Sequence, residues 1–199
     1  SMKMRALDNV GAYAGRSPFQ LGKPVSAIVG PYRIKSVQYQ AIAVTSNKAV
    51  QEAVRAFSQA PTNYAIERTI DEVAWKLGMD RLELRRRNLI RREEFPYLMP
   101  SGSTYDSGDY HTVIDKVLAK MDYAGVTAER DRLRAEGMLS GIGIAACLEP
   151  SGANSTFEPL LNPKNTNTTY SESCRISVDT SGAVTATMHT TSAGQGHET

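Results

Sequence analysis

The last six residues of the chain, Gly194 to Thr199, form the stretch whose composition best suits ligand binding. Two glycines flank Gln195, so no neighbouring side chain shields the backbone N–H groups on either side of it. N–H groups exposed in this way bind phosphate oxygens and polar ring edges. The loop follows a strand-like run at residues 183–188, and a strand that delivers a glycine-rich turn is a common route to an anion site. On spacing alone, a tight turn without a ligand explains the same pattern.

A second stretch, residues 53–61, carries Arg55 and Phe57 among mostly small residues. Taken alone, this pattern indicates a solvated charge at Arg55 and a core side chain at Phe57.

The two cysteines, Cys147 and Cys174, lie far apart without metal-ligand spacing, so we expect buried free thiols and a reducing compartment. The three histidines are scattered, and no metal site is predicted.

The composition bounds the class of protein. The 199 residues suffice for one large domain or parts of two. Hydrophobic residues make up 41% and charged residues 22%, as in an ordinary soluble globular protein. The net charge of +2 is too small to predict binding to nucleic acid or to an anionic membrane. No apolar run approaches the ~20 residues of a spanning helix and no signal peptide opens the chain, so we expect a cytoplasmic location.

The order of the elements predicts an α+β fold with mixed sheets and packed helices. We expect a short strand at residues 8–13 and a β-rich segment, one strand or two, at residues 32–45. The clearest helix has an apolar stripe at helical spacing, with Thr62 or Asn63 as its cap and Gly78 at its end. The stripe consists of Ile66, Ile70, Val73, Ala74 and Leu77, with Glu67 on another face.

Two further helices follow. Asp80 is predicted to cap a helix that carries the basic run at residues 85–87, which we expect to be solvated or paired with acids. After a loop at residues 96–108, Ser107 or Asp109 is predicted to open the next helix. The side chains that this helix would bury are Val113, Ile114, Val117, Leu118 and Met121.

The chain becomes mainly β-structured after a charged surface helix at residues 127–136. Residues 141–148 are predicted to form a buried strand whose glycines allow close approach of another backbone. Residues 172–178 and 183–190 are predicted to form a hairpin. We therefore divide the chain into residues 1–137, a partial first subdomain of sheet and helices, and residues 138–199, the truncated start of a second.

Both ends of the sequence look interrupted. Residues 1–4 resemble an artificial start, and the chain stops at Thr199 in the middle of a pattern. We therefore expect a piece of a longer polypeptide.

Residues 64–90 contain Tyr-Ala-Ile-Glu-Arg-Thr-Ile-Asp-Glu, then Leu-Gly-Met-Asp and Glu-Leu-Arg-Arg-Arg-Asn-Leu-Ile. This block resembles the helix pair of the molybdenum-binding large subunit of the xanthine dehydrogenase and aldehyde oxidase family. The resemblance covers nearly the whole chain from Asp8, because further segments similar to that subunit come in its order. They are residues 8–13, 30–32, 95–97, 141–143 and 194–199, the last of which matches the family's glutamine-glycine cofactor loop.

The resemblance implies roles for particular residues. Arg55 lines up with the arginine that many members place beside the molybdenum or the substrate, and Phe57 lies in the same substrate loop. This loop contains no cysteine, so it does not look like the copper-bearing carbon monoxide dehydrogenase branch. The residues expected to bind the molybdopterin, largely through backbone and amide groups, are Gly194, Gln195, Gly196 and Thr199.

The resemblance also implies an oxidoreductase. The parent enzyme would hydroxylate a carbon centre of an aldehyde or N-heterocycle-like substrate with oxygen derived from water. The family's catalytic glutamate falls outside these residues, so we expect the isolated chain to be inactive. Molybdopterin with molybdenum is the implied cofactor, expected in its cytosine dinucleotide form. Iron–sulfur clusters and FAD would reside on partner subunits or domains.

The implied partners are the rest of the large subunit, the iron–sulfur and flavin subunits and a small organic substrate, with neither nucleic acid nor a membrane. Two alternatives remain open at this point. One is a non-catalytic scaffold or interaction module with the same fold and no cofactor. The other is a naturally split large subunit in which another chain supplies the glutamate.

Overall fold

The computed structural model describes residues 1–13, 15, 20–52, 54, 56–148, 173–190, 192, 194, 196 and 197. Its first sheet consists of β1 (Met2–Gly11) and β2 (Val37–Thr45), which pair in parallel. Parallel pairing requires a crossover connection, and a buried 3₁₀ turn at Lys23–Ala27 lies within it. The predicted short strand is confirmed but begins at Met2, so the residues interpreted as an artificial start belong to the sheet.

The predicted helix pair is present. Helix α1 (Gln59–Lys76) begins before the predicted cap, with Pro61 in its first turn, where the missing N–H has no intrahelical partner to lose. Gly78 adopts φ +60° just after the helix, as predicted for its end. Helix α2 (Arg81–Asn88) has the predicted cap, because the Asp80 carboxylate accepts hydrogen bonds from two backbone N–H groups at 2.9 Å.

The core lies where α1 and α2 pack on the segment that precedes β2. Ile66 of α1 packs with Tyr32 and Leu89, and all three are at most 3% exposed. The predicted apolar stripe of α1 is only partly buried, because the described chain does not cover its C-terminal end. Val73 and Leu77 remain 41% and 62% exposed.

A small hairpin and two helices follow α2. The predicted loop contains β3 (Tyr97–Leu98) and β4 (Thr104–Tyr105), which pair antiparallel. Helix α3 (Tyr110–Lys120) is capped by Asp109, as predicted. The next helix, α4 (Tyr123–Ala135), starts earlier than predicted, because the Asp122 side chain caps it by accepting from Gly125 N–H.

The predicted burial of one side of α3 is wrong for the described residues. Val113 and Val117 are 58% and 55% exposed. Instead, the apolar side chains of α3 line an open cavity of about 270 Å³ together with α2 and residues 143–148. The interior that this side was expected to join is therefore not formed by the described part of the chain.

The second half of the chain differs most from expectation. Residues 141–148 form no strand in the structure, and every second residue of this segment is exposed, so the prediction of a buried strand is wrong. The predicted hairpin is confirmed as β5 (Cys174–Val178) and β6 (Val184–Met188), which pair antiparallel. Cys147 and Cys174 are both exposed, which corrects the prediction of buried thiols.

Gly137 follows α4 with φ +81°, as predicted for the end of that helix. The subdomain boundary that we place there stays a prediction. No helix among the described residues is both long and apolar enough to cross a membrane.

Candidate functional site

The turn that leads into α1 holds the backbone in an uncommon conformation. Ala56 and Phe57 have φ values of +69° and +24°, a region that side-chain-bearing residues rarely occupy. Two hydrogen bonds hold the turn: Phe57 N–H donates to Val54 O at 2.8 Å, and Gln59 N–H donates to Ala56 O at 3.0 Å. Strain of this kind costs about 1–3 kcal/mol per residue and concentrates at functional sites. Arg55, the predicted arginine of this loop, lies outside the described residues.

The Phe57 ring is fixed from one side by a cation. The ammonium group of Lys23 lies 4.3 Å from the ring centroid, which is a cation–π contact. Phe57 is half-buried and lines a cavity of about 480 Å³ between β1, the 3₁₀ turn and the N-terminal end of α1. The interpretation of Phe57 as a plain core side chain is therefore incomplete, since the ring forms part of a cavity wall.

A buried glutamine ties this turn to the second half of the chain. Gln59 is 2% exposed, and its Nε2 donates to Leu148 O at 3.2 Å. Sequence analysis missed this contact, because the two residues are 89 positions apart. Gln59 thus connects the strained turn with the end of the extended 141–148 segment.

A buried charge network supports the same segment. Arg85 is fully buried and contacts Glu67 and Asp71 of α1, each at 2.8 Å, while its Nη2 donates to Ile144 O at 3.0 Å. Arg81 donates to Ile142 O. Glu67, which was predicted on a face other than the apolar stripe, is buried by this pairing. The expected pairing of the basic run with acids is confirmed for Arg85.

The tyrosine at the centre of the core completes this network. Tyr32 O–H donates to Glu67 Oε1 at 2.6 Å. Burial raises the pKa of Tyr32 far above its usual range, and the hydrogen bond to Glu67 and the charge of Glu67 act in the same direction. Tyr32 therefore remains a neutral donor at physiological pH.

The glycine loop contains two described glycines with positive φ. Gly194 and Gly196 adopt φ +87° and +79°. A Cβ added at Gly194 would meet nothing within 4 Å, so open space lies beside this backbone. At the end of β6, Thr190 Oγ1 lies 2.7 Å from His197 Nε2. These features fit a flat polar group placed against the main chain. Gln195 and Thr199, the other two predicted contacts, lie outside the described residues.

The structure does not bring all the predicted site residues together. Phe57 lines the 480 Å³ cavity, but neither Gly194 nor Gly196 is part of its described lining. Among the described residues, no three His, Cys, Asp or Glu side chains cluster so that they could hold a metal ion.

Comparison with known proteins gives two family matches. Residues 1–89 and residues 116–199 each match a model described as a molybdopterin cofactor-binding domain. The chain is 38% identical to the carbon monoxide dehydrogenase large chain of Hydrogenophaga pseudoflava over 176 residues, 85% of this chain and 21% of that protein. It is 30% identical to the nicotine 6-hydroxylase large subunit of Paenarthrobacter nicotinovorans over 85% of this chain and 20% of that subunit.

Among solved structures, quinoline 2-oxidoreductase from Pseudomonas putida 86 is similar in fold. The TM-score is 0.81 at 28% identity, over 98% of this chain and 25% of that one. The chain thus spans about a fifth of the length of the curated relatives that it matches. With both halves matched and the fold shared, the chain belongs to the molybdopterin cofactor-binding domains of the molybdenum hydroxylase large subunits.

Proposed function

We propose that the chain is part of the catalytic large subunit of a molybdopterin-dependent oxidoreductase. That enzyme hydroxylates a carbon centre of an aldehyde or N-heterocycle-like substrate with oxygen from water. The observation that carries the proposal is the strained turn at Ala56 and Phe57, which faces a ligand-sized cavity in a member of this family. When bound, the molybdopterin supplies the redox chemistry.

The chain's own residues have separate tasks in this proposal. Phe57 forms an aromatic wall beside the substrate, and Arg55 carries the positive charge that orients a substrate oxygen or nitrogen. The backbone of Gly194 and Gly196 contacts the cofactor, and Gln195 and Thr199 add an amide and a hydroxyl to the same contact. Gln59 and Arg85 position the turn and the 141–148 segment without touching the substrate.

The cofactor form and the partners follow from the same proposal. The cofactor is the cytosine dinucleotide form of molybdopterin, and iron–sulfur and flavin subunits accept the electrons. Support comes from relatives described as subunits of larger assemblies, such as subunit gamma of the 6-hydroxypseudooxynicotine dehydrogenase complex of Paenarthrobacter nicotinovorans. We propose a cytoplasmic location for the assembly.

The carbon monoxide dehydrogenase relatives do not fix the substrate. The only cysteines of this chain are Cys147 and Cys174, and none lies in residues 53–61. A soft ligand such as thiolate is what copper would require in that loop. We therefore propose an organic substrate rather than the substrate of the copper-bearing branch.

The test is cofactor retention in the large subunit that contains this chain. Gly196→Val places a branched side chain against the proposed cofactor contact, so molybdenum and cytosine nucleotide per chain should fall to background. Gln195→Ala should retain part of the cofactor and lose activity. Gly182→Val is the matched control, because Gly182 has φ +85° but lies in the β5–β6 turn.

The control should load cofactor as the unaltered subunit does. If Gly196→Val also loads normally, the loop is only a turn and the cofactor assignment is wrong. A subunit that never contains molybdenum, even when assembled with its partners, supports the non-catalytic scaffold instead.

A further inference from the structure

The cavity beside Phe57 contains a hydrogen-bond donor that has no use within the described chain. Gln20 lines this cavity and is 6% exposed, and its Nε2 is buried without a hydrogen-bond partner among the described residues. A buried amide donor left unpaired is costly in folding free energy, and an acceptor on a ligand in the cavity would remove that cost. The last torsion of a glutamine is soft, so this amide can turn towards the cavity when an acceptor arrives there.

Neighbouring polar groups of the cavity are already engaged. Gln51 Nε2 donates to both carboxylate oxygens of Asp8 at 3.1 Å. Tyr39 O–H donates to Leu21 O at 2.7 Å, and burial followed by the charge of Asp8 raises the pKa of Tyr39, so this phenol stays neutral. Of Gln20, Gln51 and Tyr39, Gln20 is the one with a buried donor that has no hydrogen-bond partner among the described residues.

The remaining walls define the shape and charge of an occupant. Leu21, Pro24 and Phe57 supply apolar surface, and a volume of about 480 Å³ fits a molecule of one or two rings. The lining carries the cation of Arg5 as well as the carboxylates of Asp8 and Glu52, so neither an anionic nor a cationic occupant is favoured throughout the cavity. The positive end of α1, at Ser58 and Thr62, favours an electron-rich edge on the occupant.

We propose that this cavity binds an uncharged planar molecule with a hydrogen-bond acceptor at one edge, and that the Gln20 amide donates to that acceptor. Gln20 is then a specificity-determining residue that selects ring compounds with a carbonyl or an unprotonated ring nitrogen over hydrocarbons of the same shape. The inference rests on the proposed function only in naming this occupant the substrate, because binding itself requires neither molybdenum nor turnover.

The test uses two probes of matched shape, quinoline, which carries a ring nitrogen, and naphthalene, which does not. Equilibrium dialysis of the purified large subunit that contains this chain should show quinoline bound about tenfold more tightly, as expected for one hydrogen bond in an apolar site. Gln20→Leu should abolish that preference by weakening quinoline and leaving naphthalene unchanged or tighter. Gln38→Leu alters an exposed glutamine on β2 away from the cavity and should leave the preference intact.

A blocking variant locates the site. Ala65 is an exposed position of α1 on the cavity lining, so Ala65→Phe should reduce the binding of both probes with little effect on folding. If Gln20→Leu fails to fold, Gln20→Met, which has nearly the same shape, replaces it. Equal affinity of the unaltered chain for the two probes, or a preference that survives in the Gln20 variants, would overturn the inference. An unaltered assembled enzyme that contains no molybdenum would instead overturn the proposed function and leave this result standing.

Discussion

Arg85 and Glu67 form a buried ion pair that joins α2 to α1. Arg85 Nε and Nη2 lie 2.9 and 2.8 Å from Glu67 Oε2, and the two side chains are 0% and 6% exposed. Further hydrogen bonds satisfy both groups, since Tyr32 donates to the other Glu67 oxygen and Arg85 reaches Ile144 O. Through Arg85, the ion pair therefore links helices α1 and α2, which lie in the first family match, to Ile144, which lies in the second.

Arg85→Met should destabilise the protein by about 3–5 kcal/mol, because it leaves the Glu67 carboxylate buried without its cation. The measurement is the free energy of unfolding from urea titration. Arg86→Met is the matched control, since Arg86 is the next residue of the same helix and pairs with the exposed Asp115. It should cost at most about 1 kcal/mol.

Equal effects of the two substitutions would show that burial of the Arg85 pair contributes nothing beyond an exposed ion pair. Hydrogen exchange gives a second readout, because Arg85→Met also removes the donor to Ile144 O. Amide protection in residues 141–148 should fall in this variant and not in Arg86→Met.

Local signals were predictable from the sequence because they act over a few residues. The Asp80 and Asp109 caps and the end of α1 at Gly78 each depend on one side chain or one backbone conformation near the helix end. The β5–β6 hairpin follows in the same way from its turn, where Asp179 Oδ1 accepts from the backbone N–H groups of Ser181 and Ala183.

Contacts between distant residues were not predictable in the same way. Helical spacing places Glu67 beside polar neighbours on the same helix. It does not predict the ion pair with Arg85, which lies 18 residues later. The segment 141–148 has the composition of a strand, but a strand forms only when a neighbouring strand pairs with it. In the described chain its carbonyl groups accept hydrogen bonds from arginine side chains instead. In the candidate site, the resemblance supplied Phe57 and the glycines, whereas Gln20 became visible only through its burial.

The buried Tyr32 and the partly buried Tyr105 should make the protein sensitive to alkaline pH. Burial raises the folded-state pKa of both Tyr32 and Tyr105 above the ordinary value of 10.0. A raised pKa means that the folded state holds the proton more tightly, so the stability is present below pH 10 and lost as the pH rises above it. Each tyrosine should add a slope of about 1.4 kcal/mol per pH unit there.

Urea unfolding at several pH values above about 10 measures this slope. Tyr32→Phe and Tyr105→Phe should each reduce it by one tyrosine's share. If neither Tyr32→Phe nor Tyr105→Phe changes the slope, these two tyrosines do not cause the loss of stability at alkaline pH.

Gly11 is required by space as well as by conformation. It has φ +86°, and a Cβ there would lie 2.3 Å from Ala49 O, a backbone atom that can move only if its chain segment shifts. Gly102 has a similar φ of +89° with nothing within 4 Å. Gly102→Ala should therefore cost about 1–2 kcal/mol from conformation alone, and Gly11→Ala about 1–3 kcal/mol more from the clash.

Thermal unfolding of both variants compares the two costs. The difference between them isolates the close approach of residue 49 to the end of β1, since the conformational term is nearly the same in each. Equal destabilisation would mean that the connection after β2 relaxes to accept the methyl group.

Arg55 is the residue whose role most needs a functional test. If residues 53–61 form the substrate loop, Arg55→Ala in the assembled enzyme should lower turnover while molybdenum content stays close to the unaltered level. Loss of a charge-assisted contact in a dry site costs about 2–3 kcal/mol, which corresponds to a loss of roughly 30- to 150-fold. Arg68→Ala is the control, because Arg68 lies on the exposed face of α1 and pairs only locally with Glu72 among its described contacts.

The kinetic constants separate the possible roles of the arginine. A rise in KM with unchanged kcat would mean that Arg55 binds substrate and transition state equally, whereas a fall in kcat places its contact in the transition state. Phe57→Leu keeps an apolar wall but removes the ring that Lys23 approaches, so it should change KM more than kcat. If Arg55→Ala behaves like Arg68→Ala, the arginine is a solvated surface charge and the loop does not bind substrate.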